Sequence, residues 1–214
     1  MNMFVSTLLL DRKSVRALRI TDAYSLHRVV YSLYEDVRDS KQKRGAKTSG
    51  ILYADQGGDI RGRNILMLAN RAPTGAVNGR YGEVRTKRVP SNILSHEQYR
   101  FKVIVNPTRR DNTSRKLVAV RGRDNVARWF TERAVSSWGF AVSPRHLQVD
   151  KIEVHQFTDK EQRNVTIGQA CVQGLLRIND KDQFTKSFTR GIGRARAYGC
   201  GLLQIVPFVH DPLV

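Results

Sequence analysis

Short apolar runs, bounded by Gly, Pro, Asn and Asp, alternate along this chain with stretches whose apolar residues recur at helical period. That rhythm restricts the possible folds more than any other feature. Met3–Leu10 is long enough for one strand and too short for a buried helix. Thr21 or Asp22 can cap a helix running to about Val37, with Leu26, Val29, Val30, Leu33 and Val37 on one side. After the basic loop SKQKRGAKTSG, Ile51–Ala54 and Ile65–Ala69 are expected as strands joined by DQGGDIRGRN. Ala72–Gly82 holds Pro73, Gly75, Gly79 and Gly82, which weakens any helix there, and Glu83–Arg88 is a fourth strand. Strand, helix, strand, strand, weak helix, strand is the ferredoxin-like order.

A second pass of that order follows. Tyr99–Val105 alternates as a strand, Asn106, Pro107 and TRRDNTS break it, and Lys116–Val120 returns as another. Asp124 is expected to cap a helix through Trp138, with Val126, Trp129, Phe130, Ala134, Val135 and Trp138 apolar. Leu147–Phe157 and Val165–Ile178 form a hairpin joined by TDKEQRN. Asn179 or Asp180 caps a helix to about Thr189, and Leu202–Phe208 closes as a strand. The expected class is therefore α+β: two tandem ferredoxin-like (RRM-like) domains with a cleft between them. The halves cover residues 1–90 and 98–214, with a linker at Val89–Gln98 that holds Pro90 and Ser91. No residue-level repeat accompanies the duplication, which is architectural.

Charge points to the partner. Lys and Arg number 37 against 19 Asp and Glu, a formal net charge of +18 in 214 residues. Such a surface repels itself unless a polyanion screens it, and nucleic acid gains affinity by counterion release at each phosphate contact. An anionic membrane is the weaker reading, because there is no long apolar run and no separate basic amphipathic tail. Met3–Leu10 lacks the leading basic region and small-residue cleavage site of a signal peptide. Cys171 and Cys200 have no metal-ligand spacing and are expected to be reduced structural thiols. The expected location is the cytoplasm, and no cofactor is expected.

The helix around His27 carries a second stripe. At about 100° per residue, Tyr24, His27, Tyr31 and Tyr34 gather roughly a third of a turn from the apolar face. Such a stripe can be core that packs beneath a second domain. It can also be chemistry: an imidazole gives or takes a proton near neutral pH, and a Tyr one turn away can orient it or bond a phosphate oxygen. RNA supplies its own nucleophile, the 2′-OH, so strand scission needs in-line placement, a base and an acid, and no metal. The sequence has no HExxH, no clustered carboxylates and no Cys/His pairs. His96, His146, His155 and His210 are expected to be surface or satisfied histidines.

Near the C-terminus, GIGRARAYGCGLL sets Gly191, Gly193, Gly199 and Gly201 around Arg194 and Arg196. Glycine lets a backbone approach a phosphate closely, and arginine adds bidentate contacts. The run lacks both the dinucleotide fingerprint and the P-loop Gly-Lys-Ser/Thr. A tight helix-to-strand connection with solvated arginines is the plainer alternative.

This loop, with its apolar final strand, closely resembles the C-terminal loop of the CasE-type CRISPR repeat endoribonucleases, Cascade-associated members of the RAMP superfamily. YSLH, Tyr24 to His27, resembles that family's tyrosine and histidine pair, and GLLRINDKDQF (Gly174–Phe184) resembles its passage from strand to helix. The three stretches lie in order along the chain. The resemblance implies metal-independent cleavage of precursor CRISPR RNA on the 3′ side of a repeat stem-loop, leaving a 2′,3′-cyclic phosphate. It implies His27 as general acid or base with Tyr24 as its partner, product retention, and assembly with other subunits of a CRISPR effector complex. It also implies RNA-binding roles for Gly191, Gly193, Arg194 and Arg196, and for Lys160 and Arg163 in the loop of the second half's hairpin. The competing readings are a non-catalytic RNA-binding subunit of the same superfamily and an unrelated basic RNA-binding protein.

Overall fold

The computed structural model describes residues 2–37, 49–59 and 62–208. Most of the basic loop SKQKRGAKTSG, and the tail HDPLV with His210, lie outside the described residues. The chain divides into two compact units. The first comprises Met1–Val89 with Gln156–Val165 and Ala197–Gly199; the second comprises Pro90–His155, Thr166–Arg196 and Cys200–Val214.

In the first unit β1 (Phe4–Leu10), β2 (Ile51–Asp59), β3 (Gly62–Ala69) and β4 (Glu83–Arg88) make an antiparallel sheet in the order β2-β3-β1-β4. Two helices, α1 (Arg12–Ala17) and α2 (Ala23–Ser32), follow β1. Leu8 lies opposite Ile65 on one side and Val84 on the other. Leu8, Leu10, Ile65 and Met67 pack with Leu26, Val29 and Val30 of α2 and with Leu33 just past its end, each at most 5% exposed. Burying one such side chain contributes about 1.5–3 kcal/mol, so this face fixes which side α2 turns to the sheet.

Of the two residues expected as caps for α2, Asp22 takes the position. Two details differ from the sequence-based expectation. The helix stops at Ser32 instead of running to Val37, because the Leu33 carbonyl turns away to accept the Thr74 N–H at 2.8 Å; Val37 is left 62% exposed. Helix α1, capped by Asp11, was not foreseen; six residues are too few to show a period. Residues 72–82 hold a turn closed by a Val77–Tyr81 bridge and no helix, as their glycines imply.

The second unit repeats the order with additions. Its sheet runs β11-β5-β10-β8, with β9 also paired to β10. These strands are β5 (Gln98–Val105), β8 (Phe140–Val142), β9 (Gln148–Thr158), β10 (Asn164–Ile178) and β11 (Gln204–Pro207). The ferredoxin-like second strand is thus split into β8 and β9 by a single turn at Pro144–His146. Helix α3 (Arg123–Arg133) runs on into a π-helical turn, Ala134–Trp138, and α4 (Lys181–Arg190) precedes β11. Phe130 is the centre of the core: its ring stacks on Phe101 at 5.5 Å and meets Trp138 at 5.1 Å.

Two expectations are corrected in this unit. TRRDNTS is not merely a break: Thr108–Arg110 (β6) and Leu117–Ala119 (β7) pair in a separate two-stranded ribbon, so the strand expected at Lys116–Val120 stays outside the main sheet. Asp124 does not cap α3. The cap position is Gly122, without a side-chain hydrogen bond, and Asp124 lies in the first turn, where its charge favours the helix dipole. Asp180 does cap α4, accepting the Gln183 N–H at 2.9 Å.

Both cysteines are free thiols. Burial pushes the Cys200 thiol up to about 12 and raises that of Cys171 as well, which keeps both protonated and poorly nucleophilic at neutral pH. Among the described residues, no helix is long and apolar enough to cross a membrane.

Candidate active site

The candidate site lies in the first unit, on α2. Its entry is fixed by a reciprocal cap: Asp22 Oδ1 accepts the Ser25 N–H at 2.7 Å, and Ser25 Oγ accepts the Asp22 N–H at 2.9 Å. With the first turn pinned and the Leu26/Val29/Val30/Leu33 face buried, Tyr24, His27 and Tyr31 emerge together on a half-buried face. Tyr34 does not join them. It is 6% exposed in the core of this unit, and burial raises its phenol above the usual range. The expected four-residue stripe is therefore three residues long, because the helix ends before Tyr34.

His27 is held by its rear nitrogen. Nδ1 lies 2.8 Å from the carbonyl oxygen of Ala197. A carbonyl only accepts, so Nδ1 carries the proton, and Nε2 is the ring atom at which a proton can be exchanged. The Tyr53 hydroxyl donates to the same oxygen at 3.0 Å. Tyr53 is fully buried, so Ala197 is anchored from β2 while it orients the imidazole. Around the ring stand Tyr31 at 4.1 Å, Tyr198 at 5.7 Å and Tyr24 at 6.1 Å between centroids, the last stacked at 17°. Tyr31 is fixed in turn by a 2.9 Å bond to Ser49 Oγ. Tyr198 packs on Phe157 at 4.8 Å; burial, then the nearby Asp159 carboxylate, pushes its phenol above the usual range.

The hairpin turn expected to grip RNA contains Asp159, Lys160, Glu161 and Arg163, two acids against two bases. Arg163 is engaged within it. Its Nε and Nη2 donate to Asp159 Oδ2 at 2.9 and 2.7 Å, and Nη1 pairs with Glu161 at 2.8 Å. Asp159 also accepts the backbone N–H groups of Glu161 and Arg163. In the protein alone Arg163 thus closes the turn while its side chain stays 67% exposed, and Lys160 is exposed beside it.

Gly191, Gly193, Arg194 and Arg196 lie in the second unit. Gly191 ends α4, and the Ile192 N–H donates to Gly201 O at 2.9 Å, closing the loop on itself. Arg196 Nη1 donates to the Arg190 carbonyl at 2.8 Å, satisfying an end group of α4, while Arg194 is exposed. Sequence reasoning missed Tyr53, Tyr198 and the Ala197 carbonyl. Tyr198 stood inside the glycine-rich run, whereas Tyr53 is indistinguishable from core in its strand, and a carbonyl leaves no mark in sequence. Among the described residues, no three His, Cys, Asp or Glu side chains gather as metal ligands.

Comparison with known proteins agrees with this architecture. Residues 3–207 match the family described as CRISPR associated protein. The chain is 23% identical to the CRISPR system Cascade subunit CasE of Escherichia coli strain K12 over 194 residues, which is 87% of this chain and 92% of that protein. It is 27% identical to the CRISPR-associated endoribonuclease Cse3 of Thermus thermophilus over 120 residues, or 52% and 56% of the two chains. Thermus thermophilus Cse3 bound to an RNA representing a pre-cleavage complex superposes with a TM-score of 0.76 at 20% identity, covering 97% of this chain and 100% of that one. Identity that low speaks for the fold. Since the sequence match runs through nearly the whole length of both units, the chain belongs to the CRISPR-associated protein family.

Proposed function

We propose that this protein is a CasE-type, metal-independent endoribonuclease that binds CRISPR repeat stem-loops and cleaves precursor CRISPR RNA. The 2′-OH attacks the adjacent phosphate, the 5′-oxygen leaves, and a 2′,3′-cyclic phosphate remains. The carrying observation is His27, half-buried, with Nδ1–H held by the Ala197 carbonyl so that Nε2 can exchange a proton. His27 acts as general acid or base at Nε2. Tyr24, stacked against the ring, keeps its plane and can bond a phosphate oxygen. Arg194, the remaining N–H donors of Arg196, the loop backbone at Gly191 and Gly193, and Lys160 contact phosphates. Arg163, exposed on the same turn, contacts the RNA as well and holds the turn that presents Lys160. A-form RNA offers mainly phosphates and shape to such contacts. The net charge of +18 and relatives named endoribonuclease and Cascade subunit support the reading. On it, the enzyme keeps its product, joins other subunits of an effector complex, and works in the cytoplasm.

Incubation with a stem-loop repeat RNA in EDTA tests this. Discrete cleavage with a 2′,3′-cyclic end is expected; tight binding without cleavage leaves only an RNA-holding subunit.

Tyr53 enters as a positioning residue. Tyr53→Phe removes one of two donors to the Ala197 carbonyl, worth about 0.5–1.5 kcal/mol. Single-turnover cleavage is expected to slow by about 2–10-fold with RNA affinity unchanged. An unaltered rate removes Tyr53 from the account.

A further inference from the structure

We propose that the open face of the second unit's sheet is a binding surface for unpaired RNA, distinct from the stem-loop grip. On β5, Tyr99, Phe101, Val103 and Val105 point into the core, so Gln98, Arg100, Lys102 and Ile104 point to the opposite face. The register extends that face. Lys102 lies opposite Gln173 of β10 and Gln204 of β11, and Arg100 lies opposite Leu175 and Val206. Arg177 follows at the end of β10, opposite Gln98. Directly paired residues share a face, so Lys102, Arg100 and Arg177 stand together across the sheet, all exposed. The outward residues of β5 and β11 and of β10 from Cys171 to Arg177 include no Asp or Glu.

Beside this stripe lies a groove of about 740 Å³. Leu175 and Phe208 give it apolar walls, and Gln98, Ser143, His146 and Arg177 bring polar groups to its rim. Phe208 is anchored there by its N–H to Gln98 O at 3.0 Å, and Arg100 lies 5.5 Å from its ring centroid. An apolar slot rimmed by amide, hydroxyl, imidazole and guanidinium donors, at the end of a cation stripe, has the chemistry of a single-stranded nucleic-acid site. Cations follow the backbone while an unpaired base lies against apolar and aromatic surface. A duplex does not fit this reading, because its bases are not available to such a slot.

The inference rests on the RNA reading of the protein but concerns a different surface, so the two can fail separately. Binding is measured for a repeat stem-loop alone and for the same stem-loop with an unpaired oligouridine flank, placed 5′ in one RNA and 3′ in another. The proteins are wild type and the triple variant Arg100→Glu, Lys102→Glu, Arg177→Glu. For wild type, at least one flank is expected to tighten binding by about tenfold or more, and the triple variant is expected to lose that gain. Both proteins should bind and cut the bare stem-loop alike. The proposal is overturned if neither flank tightens wild-type binding, or if the variant keeps the gain. A variant that keeps the gain but no longer assembles with partner subunits would assign the face to protein instead. Failure of wild type to cut the bare stem-loop would count against the proposed activity and leave the flank comparison readable. Equal melting temperatures verify that the exposed substitutions leave the fold intact.

Discussion

His27→Ala is expected to slow cleavage of a repeat stem-loop by about 10²–10⁴-fold, the usual span for removing a positioned general acid or base. The loss falls on the chemical step. The variant keeps every cation on the protein, and one half-buried ring contributes little to a binding energy dominated by phosphate contacts. RNA affinity should therefore stay within a few-fold of wild type. The fold should hold as well, because Tyr53 still donates to the Ala197 carbonyl and the apolar face of α2 is untouched. Single-turnover kinetics, RNA titration and a melting curve separate these effects. A variant that cuts at the wild-type rate removes the mechanism. One that melts far below wild type would show instead that the imidazole is a packing residue.

Gly201→Ala should cost about 2–6 kcal/mol of stability, while Gly193→Ala should cost only about 1–2 kcal/mol. Both glycines have positive φ, +84° and +70°. They differ in surroundings. A Cβ on Gly201 would collide with the Ile192 carbonyl oxygen and crowd Arg196 Cγ, whereas one on Gly193 meets nothing within 4 Å. The Gly201 clash is with backbone and cannot be relieved without opening the loop. Against a typical total of about 5–15 kcal/mol, that is a large fraction. On the proposed RNA-binding role of this loop, the open space at Gly193 is where a phosphate approaches the chain. Gly193→Ala should therefore melt nearly as wild type and bind RNA several-fold more weakly, whereas Gly201→Ala should lose stability first. Thermal unfolding with RNA titration checks both. Equal melting of the two variants would mean that the loop tolerates a shift at Gly201.

Much of this arrangement was legible in the chain. β4 was bounded correctly by its flanking turn residues, and β1, α4 and the β9–β10 hairpin to within about two residues. The Asp22 and Asp180 caps followed from side-chain chemistry at the start of apolar periodicity. What was not legible came from tertiary competition. The apolar period of α2 continues through Val37, but the Thr74 N–H takes the Leu33 carbonyl and the helix ends, which moves Tyr34 from the expected site into the core. Strand β6 hid in the polar run Thr108–Arg110, which pairs with Leu117–Ala119 outside the main sheet. His27 and Tyr24 stood out as a misplaced aromatic stripe. Their support did not, since it depends on a carbonyl 170 residues away in sequence from His27.

The central claim is spatial: Nε2 of His27 meets the scissile phosphate. A crystal structure of His27→Ala bound to an uncut repeat stem-loop tests it most directly. The account predicts that, with the missing ring restored by superposition, Nε2 lies at hydrogen-bonding reach, about 3 Å, from the 2′-OH or the leaving 5′-oxygen at the cleavage position. A scissile phosphate seated beyond the reach of even one bridging water would contradict it.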